Sequence, residues 1–385
     1  MPYNMPTSKS NAPVIKKNRL VSLDALRGFD MFWIIGASAI ADGLAELKIP
    51  GILVVVNQLK HSTWNGFTFY DLIFPLFVFI TGVSLFLSVR SRLQRGEDKK
   101  TIINHVVKRS IMLFLLGIVY NGITLGPTIL ASIRVLGVLQ RIALCYFFTA
   151  LLLLYIKPQS QAVTFIAILV GYWVIMRFVP VPGYGPGVWT EAGNLAQYID
   201  SLVLPGRLYH DTWDPEGLLS TVPAVATCIL GTLVGQWLRS DNLHFGRTFT
   251  PEKRVLYLIL FGISLVGSGL LFSILFPINK SIWTSSFVLL TGGLSTILLA
   301  VFHWTIDIRG YKRWAFPFVV IGMNSIFIYM AAEFIPFSTI ANWIVGVELL
   351  SFLGPSRALL SAIVQLSLEV LLLLWLYKRK IFIRL

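Results

Sequence analysis

Phe69-Tyr70-Asp71-Leu72-Ile73-Phe74-Pro75-Leu76-Phe77-Val78-Phe79-Ile80-Thr81-Gly82-Val83-Ser84-Leu85-Phe86-Leu87-Ser88-Val89 carries no charge after Asp71, and Arg90 ends the run. A helix rises about 1.5 Å per residue, so this stretch matches a hydrocarbon layer of about 30 Å. The rest of the chain has the same character. Of its 385 residues 56% are hydrophobic and 13% charged, against roughly 25% charged in soluble domains, and the mean hydropathy is +0.75. A chain so poor in charge has no water-facing surface to offer. Helices are expected, because lipid leaves the backbone no other hydrogen-bond partners than its own. The fold class is therefore all-α, a polytopic transmembrane bundle.

Ten spans are expected, at 20–41, 69–89, 110–126, 133–156, 162–180, 218–238, 255–276, 282–303, 314–334 and 357–377, with 335–356 either re-entrant or an eleventh. The net charge of +14 is distributed between spans rather than over one basic face, which points away from nucleic acid as a partner and toward a positive-inside membrane protein. Placing the N-terminus inside puts Lys9, Lys16, Lys17, Arg19, Arg90, Arg92, Arg95, Lys99, Lys100, Lys108, Arg109, Lys157, Arg239, Arg247, Lys253, Arg254, Arg309, Lys312, Arg313, Lys378, Arg379, Lys380 and Arg384 on the cytoplasmic side. Only Lys48, Lys60, Arg134, Arg207, Lys280 and Arg357 fall outside. Both termini are then cytoplasmic: a tail over 1–19, one membrane domain over 20–377, and a basic tail over 378–385. The first apolar stretch ends near Ala37-Ser38-Ala39 like a signal peptide, but Asp24, Arg27 and Asp30 inside it read as a retained helix. Cys145 and Cys228 lie in apolar runs, and no metal-ligand spacing, P-loop or dinucleotide fingerprint occurs; no metal is expected.

Charges within apolar spans mark candidate sites. Asp24, Arg27 and Asp30 recur every three residues along the first helix, as a structural ion pair or as a cationic seat for a phosphate-bearing cofactor. Arg134, Gln140 and Arg141 belong to the fourth span, with Arg134 and Arg141 two turns apart on one face; arginine forks suit phosphate, while Arg134 could equally snorkel to headgroups. His61 stands before the second span as a base or nucleophile, or as an inert loop residue. Asp71 could orient an imidazole or bind an ammonium group. Asn324 and Ser325 lie mid-span, where polar residues commonly join helices. The outer loop 181–217, with Trp189, Tyr209, His210 and Trp213, reads as an aromatic lid suited to stacking on a sugar or to packing on its own protein.

The stretches Ser22 to Gly28, Lys60 to Gly66 continuing to Pro75, Phe77 to Gly82, Arg134 to Ile142 and Gly322 to Ile326 occur in the order found in the heparan-α-glucosaminide N-acetyltransferase family, and the chain resembles its bacterial members over about residues 20–335. The resemblance implies a transmembrane acyltransferase of the bacterial inner membrane that moves acetyl from cytoplasmic acetyl-CoA to the amine of a terminal glucosamine or related amino sugar on the periplasmic side. It implies a catalytic role for His61, with Asp71 beside it. Arg27, Arg134, Gln140, Arg141 and Asn324 are the candidates for holding acetyl-CoA, with Asn324 as a donor to the thioester oxygen. Ser38 stands where eukaryotic members carry asparagine, which leaves the acceptor open. Membrane lipids and an amino-sugar acceptor are the expected partners, with a homodimer left open, and either direct attack or an acetyl-histidine intermediate is compatible. A sugar transporter and an O-acetyltransferase of envelope glycans are the competing readings. Reporter fusions after Arg95 and within 187–210 should report opposite sides of the membrane; the same side for both would contradict the charge-based topology.

Overall fold

The computed structural model describes residues 20–124, 133–209, 213–239, 249–346 and 354–383. The expected tail over 1–19, the end of the third span, His210 and part of 335–356 lie outside these residues. The elements are α1 (Val21–Glu46), α2 (Ile52–Gln58), a 3-10 turn (Phe69–Leu72), α3 (Ile73–Gln94), α4 (Lys99–Thr124), α5 (Val138–Tyr155), α6 (Pro158–Phe178), β1 (Pro180–Val181), β2 (Gly185–Pro186), α7 (Leu195–Val203), α8 (Leu218–Arg239) and α9 (Pro251–Phe272). Then follow α10 (Ser285–Phe302), a wider π-type turn (His303–Ile308), α11 (Phe316–Met323), α12 (Ser325–Phe334), α13 (Phe337–Val345) and α14 (Ser356–Lys378). Among the described residues nine helices are long and apolar enough to span a membrane, and α11 with α12 makes a tenth, bent by 74°. The bend falls at Asn324, whose φ of −129° and ψ of 35° leave the helical region. The chain is an all-α polytopic membrane protein.

One expectation is corrected. Residues 133–137 are not helical, so Arg134 lies on an extended approach to α5 and does not share a helix face with Arg141. The cause lies on the preceding helix: the Asn121 carboxamide of α4 donates to the carbonyls of Arg134 and Leu136, at 2.9 and 3.3 Å, removing them from any helical ladder. The described part of 335–356 contains α13, only 9 residues long, about 13 Å of helix and too short to span.

α3, α8 and α10 form the buried centre, whereas α4, α6, α9 and α14 turn most of their apolar surface outward, as lipid-facing helices do. Association in lipid depends on close backbone packing rather than on hydrophobic exclusion, and two glycine pairs supply it. A Cβ on Gly82 of α3 would lie 2.0 Å from the Cys228 carbonyl oxygen, and one on Gly231 of α8 would lie 2.1 Å from that of Phe79. Gly28 of α1 and Gly322 of α11 face the Phe318 and Asp24 carbonyls in the same reciprocal way, at 1.7 and 2.0 Å. These contacts set how near α1, α3, α8 and α11 stand, and so shape the cavity between them. Gly82→Ala should destabilise the detergent-purified chain by about 1–3 kcal/mol, the usual cost of overpacking, whereas Gly122→Ala, with open space around it, should not. Equal thermal stability of the two variants would contradict the packing account.

Candidate active site

At the end of the bundle holding α2 and the 181–217 loop, the segment 60–72 folds back before α3. Thr68 caps the 3-10 turn with Asp71 reciprocating in a capping box. The Asp71 carboxylate is completely buried. Its Oδ2 accepts from the Ser62 and Thr68 backbone N–H groups at 3.2 and 3.1 Å and from the Thr68 hydroxyl at 3.1 Å. Its Oδ1 stands 2.8 Å from His61 Nδ1. With Nδ1–H given to the carboxylate, Nε2 is left with a lone pair. Tyr70 stacks on the imidazole, centroids 4.5 Å apart.

A third group completes this cluster. Lys280 Nζ lies 3.0 Å from Nδ1 and 2.9 Å from Nε2 of His61. Its loop is fastened to the histidine loop: the Gly66 N–H donates to the Ile278 carbonyl at 2.9 Å, and the Asn279 carboxamide donates to Asn65 Oδ1 at 3.1 Å. Burial lowers the Lys280 pKa, with Asp71 and Glu216 acting in the opposite sense. A lysine so placed releases its proton more readily than a solvated one. Sequence reading passed over Lys280 as an acting group; its rarity as an outer-side cation was the available signal.

The 181–217 loop covers this end. Trp64 donates to the Trp189 carbonyl at 2.8 Å and packs edge-on against Trp213 at 5.3 Å, while Trp213 donates to Glu191 at 2.6 Å. Arg134 anchors the loop from below: its Nε and Nη2 donate to Asp214 at 2.7 and 2.6 Å, and Nη2 also donates to Glu216. Although burial opposes its charge, the two carboxylates push the Arg134 pKa above the ordinary arginine value. Arg141, one turn into α5, donates from Nε to the Thr221 hydroxyl at 3.3 Å and from Nη2 to the Gly217 carbonyl at 3.2 Å and to Ser220. Its guanidinium lies over the Trp283 ring at 4.8 Å, and Nη1 has no partner among the described residues. Both arginines thus sit with the lid and the 279–283 loop, on the histidine's side of the bundle.

Arg27 lies elsewhere. It lines a cavity of about 850 Å³ bounded by the first half of α1, the C-terminal part of α3, α4, the start of α5, the end of α8 and the α11–α12 bend. Arg90, Arg95, Arg109 and Arg239 line it too, and among the described residues Asp24 is its sole acid. Arg27 donates to the Ser84 hydroxyl at 2.5 Å and stands 3.9 Å from Asp24. The deep end is apolar, reaching Phe77, Leu113 and Ile142. Ile142 adjoins Arg141, so the cavity extends from the basic mouth nearly to the lid-side cluster. Gln140 is buried in α5 above this end. Asn324 sits at the α11–α12 bend between the cavity-lining Met323 and Ser325; its carboxamide donates to the Ile381 carbonyl at 3.1 Å and accepts from the Ile383 N–H at 2.8 Å, which fixes the C-terminal segment beside the cavity.

Arg134→Met should destabilise the folded chain by about 3–5 kcal/mol, because it leaves two buried carboxylates without a counter-charge. Adding Asp214→Asn and Glu216→Gln should restore much of this in thermal unfolding. Unchanged stability and protease resistance of the lid in Arg134→Met would contradict its anchoring role.

The catalytic-domain model of heparan-alpha-glucosaminide N-acetyltransferase matches residues 19–266, which include the histidine loop, the lid and most of the basic cavity. Human heparan-alpha-glucosaminide N-acetyltransferase is 32% identical over 377 residues, covering 84% of this chain and 55% of its own length. The mouse protein of the same name is 32% identical over 437 residues, covering 99% of this chain and 62% of its own length. The chain therefore spans little more than half the length of these curated relatives. It belongs to the heparan-alpha-glucosaminide N-acetyltransferase family.

Proposed function

We propose that the chain is a membrane N-acetyltransferase that takes acetyl from acetyl-CoA on the arginine-rich face and transfers it to the amine of a terminal glucosamine or related amino sugar on the lid face. The observation that carries this reading is the pairing of His61 with buried Asp71 on the lid side of the bundle, together with a cavity bordered by five arginines toward its opposite side. Arginine forks at Arg27, Arg90, Arg95, Arg109 and Arg239 suit the phosphates of a nucleotide-bearing donor. The apolar throat beyond them excludes water from a thioester. Among the described residues Tyr184 and Tyr209 are the exposed aromatics of the lid and offer apolar faces of the kind on which a sugar ring packs, whereas Trp213 is buried against Trp64. The charge pattern supports a cytoplasmic donor side and a periplasmic acceptor side in a bacterial inner membrane.

Only a neutral amine attacks a thioester. His61 Nε2 removes a proton from the attacking amine, and Asp71 holds the ring and balances the imidazolium that results. The new C–N bond forms as the C–S bond breaks, and the proton passes to the departing CoA sulfur. In the two-step form, Nε2 first takes the acetyl group with release of CoA, then yields it to the amine. Lys280, within 3 Å of Nε2, is placed to donate to the ring nitrogen or to exchange the proton with it.

His61→Ala should lower acetyl transfer by about 10²–10⁴-fold, the range for general acid–base catalysis, while acetyl-CoA binding stays near wild type. Asp71→Asn should slow turnover less, and the double variant should match His61→Ala, as expected for groups acting as one unit. The assay mixes detergent-purified chain with acetyl-CoA and glucosamine and follows free CoA. Folded His61→Ala that binds acetyl-CoA and turns over normally would remove His61 from the chemistry and advance the sugar-transporter reading.

A further inference from the structure

α5 and α6 follow one another in the chain, yet each packs mainly on α8 rather than on its neighbour. Where α5 ends and α6 begins they leave a wedge, a second cavity of about 440 Å³. Its size falls within the range of roughly 300–1,000 Å³ common to ligand sites. α3 contributes Phe86, Val89 and Leu93 to its lining, and the α5–α6 turn contributes Leu153, Ile156 and Pro158. Gln236 of α8 lines it as well and donates to the buried Gln161 carboxamide at 2.8 Å, while Gln161 donates to the Ile156 carbonyl at 2.8 Å. These two bonds tie the start of α6 to α8 and to the turn, and so fix the shape of the wedge.

The wedge stands where the bundle meets lipid. The apolar span of α5 ends at Tyr155 and that of α6 begins at Pro158, which sets the cavity at the level of headgroups and the first carbons of their chains. α6 turns most of its surface outward, and Leu93 is 45% exposed. An apolar space open to a bilayer gives water no partners and is filled by hydrocarbon instead. The rim is basic. Arg90 lines the cavity and donates to the Arg239 carbonyl at the end of α8. Lys157 is exposed between the lining residues Ile156 and Pro158. Lys99, at the start of α4, lies over the Tyr155 ring at 5.1 Å, one residue before Ile156. Among the described residues no carboxylate lines the cavity. An apolar cleft between spans with cations at its rim and no acid is complementary to an amphiphile with an anionic head.

We propose that this wedge is a binding site for an anionic diacyl phospholipid, with an acyl chain between α5 and α6 and the phosphate beside Arg90, Lys99 and Lys157. The site stands apart from the acetyl-CoA reading and does not rest on it. Arg90 and Gln94 line both this wedge and the larger basic cavity, so a bound lipid braces the wall that the two share.

The test titrates delipidated, detergent-purified chain with phosphatidylglycerol, phosphatidylcholine or glycerol 3-phosphate and counts bound molecules by native mass spectrometry. The first phosphatidylglycerol should bind about 10-fold more tightly than phosphatidylcholine, the scale of one or two lysines near an anionic head. Glycerol 3-phosphate, with the phosphate but no chain, should neither bind nor displace it. Leu153→Trp, which fills the wedge, should weaken that first equivalent by about 10-fold. Lys99→Gln combined with Lys157→Gln should remove most of the preference for the anionic lipid. Both lysines project from the surface, so this pair decides the matter even where the tryptophan variant does not fold. Equal binding of the two lipids by wild type would overturn the site, as the mark of ordinary lipid around the bundle. So would displacement by glycerol 3-phosphate, the mark of a phosphate site without a chain, or an undiminished preference in the lysine pair.

Discussion

The Asp71 carboxylate is buried where a bare charge is untenable, and it persists there because both of its oxygens face donors. Two backbone N–H groups and a hydroxyl occupy one oxygen, and His61 Nδ1 faces the other. The chain must therefore turn back on itself between residues 60 and 72 before it enters the membrane. That turn places the histidine at the mouth of α3, presents Gly66 and Asn65 to the 276–284 loop, and so delivers Lys280 to the imidazole. A carboxylate that serves both as helix cap and as imidazole partner couples the start of α3 to the chemistry. Loss of its charge would loosen the turn and the histidine together.

The positive charges divide between two tasks. At the lid end Arg134 and Arg141 are engaged by Asp214, Glu216, Ser220, Thr221 and the Trp283 face, and they hold the loop and the first turn of α8 against α5. At the opposite end Arg27, Arg90, Arg95, Arg109 and Arg239 border open space. Guanidinium groups held between buried carboxylates stabilise structure, and those bordering a cavity, which here keep protein partners such as Asp24 for Arg27 and Glu97 for Arg95, also suit an anion that arrives from solution. The glycine contacts joining α1 to α11 and α3 to α8 keep the walls of that cavity close.

The spans and the His61–Asp71 pair were legible in the sequence, because long uncharged runs have one fate in lipid and the histidine motif is short and local. What escaped depends on contacts across many residues. Arg134 appeared helical because the apolar pattern runs through 133–137, yet the Asn121 carboxamide holds that stretch extended. Lys280 is separated from His61 by more than two hundred residues and looked like one more loop cation. Arg90, Arg95, Arg109 and Arg239 were read as markers of sidedness, since nothing in their spacing reveals that the end of α3, the body of α4 and the end of α8 converge. Asn324 was legible as a polar residue in mid-span but not as the clasp of the C-terminal segment, because its partners are backbone atoms 57 and 59 positions away.

On the proposed reading, with the donor site on one face and the acceptor site on the other, the membrane itself is part of the reaction. The most direct test reconstitutes the purified chain in sealed vesicles, with radiolabelled acetyl-CoA trapped inside and glucosamine only outside. The account predicts labelled N-acetylglucosamine in the outer solution, free CoA inside, and loss of both with His61→Ala. Transfer that occurs only when donor and sugar share the same compartment would contradict it.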